Sequence, residues 1–480
     1  MARGSGTFSD DLYSLGVTIA FLLLGRNPVA HLDDENLLKM KIQQGSYATL
    51  VGDTRIPLAF IELLRGLLYD DPDMRWDIEA LDLWLQGRRL SPLQQRHEKR
   101  AARGFPFNGK EYFNCRELAA AMARNWDAAI PPVLEGKLEL WLRRAVEDKE
   151  RAQAVADVVR WALNGGAERR VVADQMLCKV LILLDPNAPI RYKGFNAMPD
   201  GVGTALAAVM AQKGDTRLLA EVILREVPKL WFEARKHYLP DNSLMEGNFK
   251  ELKNYLSQTG MGFGLERCLY EMNDALPCQS PLVGEEYVVE LKDLLPALNA
   301  ANKGGEGKQW PADRHVAAFM GARARSDIDR NLVQLNDPEP SRALMALMNL
   351  FAVFQYRLGP ETLPNLAAWM GNLSAPVVSA FHSRDKRKEL EKEVPKIVRR
   401  GSVVELYNLL DNIGEREKDQ NEFAWAQAQY QAAEEEIRRI QGNEEDRDKE
   451  AVRIGKQTAA VTGILIALVS TTITVILKVW

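Results

Sequence analysis

The chain has 480 residues, 46% hydrophobic and 27% charged, which is the composition of ordinary folded domains and leaves room for about two to four of them. Its formal net charge of −4 excludes the strongly basic surface of a nucleic-acid-binding domain, so no nucleic-acid partner is expected. Cys115, Cys178, Cys268 and Cys278 cannot build a disulfide framework; with no C-x-x-C spacing and scattered histidines, a reducing compartment and no metal site are expected.

Nearly every periodic segment has helical spacing, and short Val/Ile/Thr alternations are nearly absent, so the expected fold class is mainly α. No fixed repeat period is found, although a degenerate solenoid of helical pairs over 111–380 stays open. The expected organisation has a helical unit at 1–92 and a basic linker at 93–110 that ends in Gly and Pro. An all-helical region follows at 111–380, then a charged helical segment at 381–456, then an apolar span at 457–479.

Met1–Asp11 ends in acids before any apolar stretch and is not a secretory leader. Ser9 or Asp10 is placed to cap a helix whose body, Leu12–Leu24, is apolar nearly all round and is therefore expected to be buried on most faces. Gly25 ends it. Asp34–Ile42 is amphipathic. Further on, Ile61, Leu64 and Leu68 share a face, Asp71-Pro72 stops that helix, and Asp77 caps one that runs through Leu85.

Three pieces of this unit stand in order: D-x-Y-S-L-G-V at Asp11–Val17, G-R-x-P at Gly25–Pro28, and D-P-x-x-R at Asp71–Arg75. Together they resemble the end of a serine/threonine protein kinase C-lobe, with Trp76 and Trp84 following as in bacterial members. The resemblance covers 1–92 only. It implies structural roles at Asp11, Gly16 and Arg75. Asp11 would accept hydrogen bonds from the catalytic-loop backbone, and Arg75 would pair with the Glu of A-P-E; both partners are missing from this chain. The family's Gly-rich loop, strand Lys, catalytic-loop Asp and Asn, and DFG Asp all precede this region, and no H-R-D or D-F-G occurs in the sequence. No catalytic residue and no cofactor are therefore expected here; ATP and Mg²⁺ would come only with an upstream kinase half. The resemblance implies the C-terminal portion of a membrane-tethered kinase-like signalling protein that acts as scaffold and tether. The alternative is a tail-anchored helical adaptor with a vestigial kinase remnant, a partner-binding module.

In 111–145, Leu118, Met122, Trp126 and Ile130 recur every four residues, giving one apolar helix face that Pro131-Pro132 is expected to end. A short helix from Leu134 to Leu142 presents Leu138 and Trp141; Trp126 and Trp141 read as core anchors. Residues 175–194 read as a buried helix and a Pro-rich turn, where Arg191 and Lys193 either meet an anion or sit in a solvated loop. Gly260–Gly264 lacks the x-x-G and the preceding strand of a phosphate loop and reads as a helix break. Residues 342–357 are apolar but too short to span a bilayer, and Asn349 and Gln355 mark a core helix.

The Arg384–Lys388 run either touches anionic lipid or forms a solvated face. Phe423, Tyr430 and Ile437 are seven apart, as are Ala426, Ala433 and Ile440; a short coiled coil and an amphipathic helix packed on its own chain both fit. From Gln457 to Leu477 no residue is charged. About 20 such residues cross a hydrocarbon core of ~30 Å. Arg453 and Lys456 flank one side, and Lys478 and Trp480 stand where a cation and an indole prefer the interface. Six Ser/Thr hydroxyls dilute the segment and are expected to bond back to helix carbonyls. The expectation is a single-pass tail anchor in a lipid bilayer, with the bulk of the chain in the cytoplasm.

Overall fold

A computed structural model describes residues 6–89, 99–164, 169–234, 240–302, 309–324, 328–442 and 444–479. It is 71% helical and 3% strand, so the fold is mainly α. Residues 93–98 of the expected linker lie outside the described residues, as do Trp480 and the Lys478 side chain. Two compact units emerge: Met1–Glu290 with Ala312–Leu332, and Leu291–Pro311 with Val333–Trp480.

The first unit opens with α1 (Phe8–Leu24), α2 (Asp34–Leu50), α3 (Leu58–Leu67) and α4 (Ile78–Leu85). Thr7 caps α1, its backbone N–H donating to Asp10 Oδ2 at 3.0 Å, and Gly25 closes it at a φ of 61° that L side chains disfavour. Asp33 and Asp77 cap α2 and α4 through Asn36 N and Ala80 N. The α2 helix runs eight residues past the expected Ile42, because Gly45 takes a φ of 86° and kinks the chain rather than ending it.

Burial on α1 differs from expectation. Leu12, Gly16 and Ala20 form one fully buried stripe at i, i+4, i+8, while Val17, Ile19, Phe21 and Leu23 are half-buried and Phe8 and Leu22 are exposed. The stripe packs against α3, whose buried residues are Leu63, Leu64 and Leu67, joined by Leu68; Ile61 is only half-buried.

Two short hairpins correct the expectation of an all-helical region. In the first, β1 (Phe105–Phe107) pairs antiparallel with β2 (Lys110–Tyr112), Phe105 opposite Tyr112. Asn108 and Gly109 form its turn with φ of 48° and 75°, the doubly positive geometry that fits strand twist. The described part of the expected linker is thus folded. Phe105 and Phe107 are buried, Ala101 N donates to Phe113 O at 2.8 Å, and Trp141 Nε1 donates to Arg103 O at 2.7 Å.

Next come α5 (Cys115–Arg124), α6 (Trp126–Leu134) and α7 (Lys137–Trp141). Pro131 and Pro132 do not end a helix as expected; they lie inside α6. The break falls earlier, at Asn125, whose φ of −120° and ψ of 58° leave helical backbone. Each proline forfeits one helical hydrogen bond and α6 stops soon after. Trp126 and Trp141 are buried core anchors. Beyond them lie α8 (Lys149–Leu163), α9 (Arg169–Leu184) and the second hairpin, β3 (Ile190–Tyr192) with β4 (Phe195–Ala197), turned at Lys193-Gly194 by φ of 49° and 87°. The unit continues through α10 (Val202–Ala211), α11 (Arg217–Leu224), α12 (Val227–Glu233), α13 (Pro240–Ser257) and α14 (Leu265–Glu271). Gly260–Gly264 is the α13–α14 turn, a helix break as read from the sequence.

The second unit takes α15 (Leu291–Ala301); the chain returns to the first for α16 (Arg314–Ala324), and α17 (Asp329–Gln334) crosses the boundary. Then follow α18 (Pro340–Leu358), α19 (Pro364–Asn372), α20 (Ala375–Ser379), α21 (Arg384–Arg400) and α22 (Val403–Leu410). The α18 helix is the expected core helix, and its buried Gln355 is a hydrogen-bond hub. Its Oε1 accepts from Val403 N at 2.8 Å and Val404 N at 3.2 Å, and its Nε2 donates to the carbonyls of Glu361 and Gly401 at 3.1 and 3.2 Å.

Two helices complete the unit: α23 (Ile413–Gln441) and α24 (Glu444–Val479). Only the start of α23 packs on its own chain. Asp419 accepts from His382 N and Ser383 N at 2.7 Å each, Phe423 stacks on His382 at 3.8 Å, and Glu415 pairs with Lys386. Residues 424–439 are exposed throughout, so packing along the whole helix is not what occurs. Arg384, Asp385 and Lys388 are exposed, as a solvated face would be, while Lys386, held between Glu389 and Glu415, and Arg387, whose Nη2 donates to His382 O, secure the α21–α23 junction. Within α24, the stretch Arg447–Leu477 holds an 18-residue window of mean hydropathy 2.3, none of it buried, so the helix is long and apolar enough to cross a membrane. As expected, Thr458, Thr462, Thr472 and Thr474 donate to the carbonyls four residues back at 2.7–2.8 Å, and Thr471 does likewise.

Candidate functional site

The first unit carries a groove of about 970 Å³ where the α5–α6 elbow faces the start of α9 and the β3–β4 hairpin. Leu38, Trp126 and Pro189 give it apolar wall; Arg124, Arg170, Arg191 and Lys193 give it cations. Beneath the Trp126, Arg170 and Lys193 of its lining lies Asp174, with no exposed surface, on a helix too buried on all sides to have one apolar face. Asp174 Oδ1 accepts from Trp126 Nε1 at 2.8 Å, and Lys193 Nζ stands 2.9 Å from Oδ2. Arg170 reaches Asp174 at 3.6 Å and pairs closely with Asp127 at the rim.

Lys193 also meets Glu221 at 2.8 Å, and Tyr192 Oη donates to the same carboxylate at 2.7 Å. Partial burial works against both charges. The Lys193 pKa is nevertheless raised by Glu221 and Asp174, and that of Glu221 is lowered by Lys193 and Tyr192. Burial, then the bond to Glu221, pushes the Tyr192 hydroxyl far up. Arg191 joins Asp185 at 3.0 Å, and Arg116 joins the same Asp185 at 3.1 Å. Arg191 and Lys193 therefore neither sit in a solvated loop nor stand ready for an anion: carboxylates of this chain already neutralise them. The groove is a charge-balanced polar floor between apolar walls.

Nucleophilic chemistry finds no support among the cysteines. All four are buried and none is in a disulfide, and burial raises the thiols of Cys178 and Cys268 to about 12 and that of Cys278 to about 11, far from thiolates at neutral pH. Among the described residues no group of His, Cys, Asp and Glu could hold a metal ion.

The residues singled out by the kinase resemblance lie outside this groove. Asp11 is exposed in the first turn of α1. Gly16 is buried where α1 meets α3: a Cβ there would stand 2.9 Å from Leu67 Cβ, so only glycine permits the approach. Arg75 has in-chain partners, contrary to expectation. Its Nη1 donates to Ser9 O at 2.7 Å, its Nε donates to Tyr69 O at 2.9 Å, and the guanidinium lies 4.9 Å from the Tyr13 ring centroid. It ties the start of α1 to the loop after α3. Sequence reading missed Asp174, Tyr192 and Glu221; the available signal was a lone carboxylate inside the apolar α9 run.

No protein-family model, curated protein or solved structure matches the chain.

Proposed function

We propose that this chain is a membrane-tethered helical scaffold of a serine/threonine kinase-like signalling protein, held on the cytoplasmic face by α24, with no phosphoryl transfer of its own. The observation that supports the tether is the uncharged run 457–477 of α24, exposed along its length, in which Thr458, Thr462, Thr471, Thr472 and Thr474 donate to carbonyls of their own helix. A water-exposed helix of that hydropathy would be a large aggregation-prone surface; a bilayer removes it. Orientation follows from Arg453 and Lys456 flanking the apolar run on the side of the folded units.

The adaptor reading, in which the kinase-like helices are vestigial, draws support from Arg75. In-chain acceptors and a ring engage that guanidinium, so residues 6–89 need no A-P-E glutamate to satisfy it. The test is liposome flotation of the full chain against one deleted for Thr458–Trp480. The full chain should float and resist carbonate extraction, and the deleted chain should stay at the bottom. Flotation that survives the deletion sinks the tether.

A further inference from the structure

We infer that the α23–α24 rod is a parallel self-association surface and that its occupant is a second copy of this chain. The inference rests on the membrane tether proposed above and deepens it.

The first observation is α23. Beyond Phe423, which stacks on His382, it leaves the body of its unit, yet the heptad register that Phe423 begins continues with Tyr430 and Ile437 in one series and Ala426 and Ala433 in the other. Tyr430 is 72% exposed and Ile437 51%. Most of a helix's stability in proteins comes from packing its apolar face, and this seam has no cover in its own chain. Alternating large and small residues along the seam let two such helices approach.

Flanking charge permits the pairing. In a parallel pair the residue before each large seam position faces the residue five further along the partner. That places Glu422 against Gln427, Gln429 against Glu434, and Glu436 against Gln441. Each pair sets one carboxylate against one amide, so no carboxylate opposes another across the seam.

The second observation, independent of the first, is α24. Gly455, Ala459, Gly463, Ala467 and Thr471 recur every four residues and form one row of small side chains along the helix. At Gly455 and Gly463 an added Cβ would meet nothing within 4 Å, so neither glycine serves close packing within its own chain. In lipid such a row lets two helix backbones approach, with a right-handed crossing. The α23 seam favours the opposite hand, and the extended backbone of Gly442 separates the two helices where the hand must change.

Membrane insertion selects the occupant and its direction. Two copies inserted with the same polarity hold their α24 helices parallel, and their α23 helices leave the bilayer side by side. Tethering also raises their effective concentration, so a short seam suffices.

The test uses the full chain in liposomes at high lipid-to-protein ratio, with single cysteines introduced on α23. The four native thiols are buried and do not compete. Under mild copper-catalysed oxidation, Tyr430→Cys, on the seam, should form an intermolecular disulfide at least about tenfold more efficiently than Glu435→Cys, on the opposite face. Gly463→Ile should weaken the dimer about tenfold or more by single-molecule photobleaching, while Ile464→Leu, off the row, leaves it unchanged. Equal trapping at 430 and 435, or single-step photobleaching of the unchanged chain, overturns the inference. A Gly463→Ile chain that dimerises as tightly as the unchanged one overturns its intramembrane half. Flotation of the same samples scores the tether separately: a floating monomer refutes the pairing alone, and a chain that does not float refutes the tether.

Discussion

Asp174→Ala should destabilise the first unit by about 2–4 kcal/mol. The carboxylate is fully buried and accepts from the indole N–H of a buried tryptophan; removing it leaves Trp126 Nε1 without that acceptor. An orphaned buried donor costs about 1–3 kcal/mol. The ionic part is smaller than for a sealed pair, whose breaking costs about 3–5 kcal/mol, because Lys193 retains Glu221 and is 28% exposed, and Arg170 is 62% exposed. Both cations can rehydrate. Asp174→Asn keeps an acceptor for the indole and should lose about half as much. Trp126→Phe, combined with Asp174→Ala in a double-mutant cycle, isolates the shared bond as a coupling of about 1–2 kcal/mol. Since a chain with two units need not unfold in one step, the assay is native-state hydrogen exchange of α9 and β3–β4 amides in detergent-solubilised full chain. Unchanged protection in Asp174→Ala, or fully additive single variants, would refute the idea that this carboxylate organises the groove.

Gln355→Leu removes the acceptor of Val403 N and the donor to two carbonyls, so α22 amides should exchange faster by the equivalent of about 2–4 kcal/mol while α9 amides are unaffected. Gly16→Leu should abolish the α1–α3 contact and expose α1 amides to exchange, whereas Gly16→Ala sets a gain of about 1 kcal/mol in helix propensity against a strained contact and should lose much less.

Helix existence was legible where one physical term dominated. The α18 and α24 runs differ in length and polarity, and burial followed: α18 is core, α24 bare. The cap at Asp77 and the stop at Gly25 are local chemistry and were readable, whereas the α1 cap falls on Thr7 and not on the expected Ser9 or Asp10, and the Asp33 cap was not read. The hairpins were hidden by their size. Three-residue strands show no alternation, although Asn108-Gly109 between aromatics is a strong two-residue turn signal. The burial of α1 was misread because periodicity gives the width of an apolar face, not how much neighbouring surface exists to cover it. Asp174, Tyr192 and Glu221 come from separate segments brought together by folding. No spacing rule links positions 174 and 221, so the groove was invisible before the fold.

The isolated segment 6–89 can weigh the two functional readings against each other. Val17, Ile19, Phe21 and Leu23 pack half-buried on the two small clusters of this segment, and Asp11 is exposed. Asp11→Asn should therefore change stability by less than about 0.5 kcal/mol, as at an ordinary surface site. Arg75→Met should cost more, about 1–3 kcal/mol, because it frees the Ser9 and Tyr69 carbonyls and loses the contact over Tyr13. The segment remains thinly supported. Phe8, Leu22, Leu58 and Leu85 are all more than two-thirds exposed, and chains of this size rarely gain more than about 3–5 kcal/mol from one core. Alone, it should unfold without a sharp transition and bind a hydrophobic dye, and it should regain order within the full chain. A monomeric fragment with a cooperative melt and dispersed amide resonances would contradict that expectation, and would mean that Arg75 and the Gly16 contact complete an independent domain. The adaptor would then be the stronger reading, since a lobe that stands alone has no need of a kinase half.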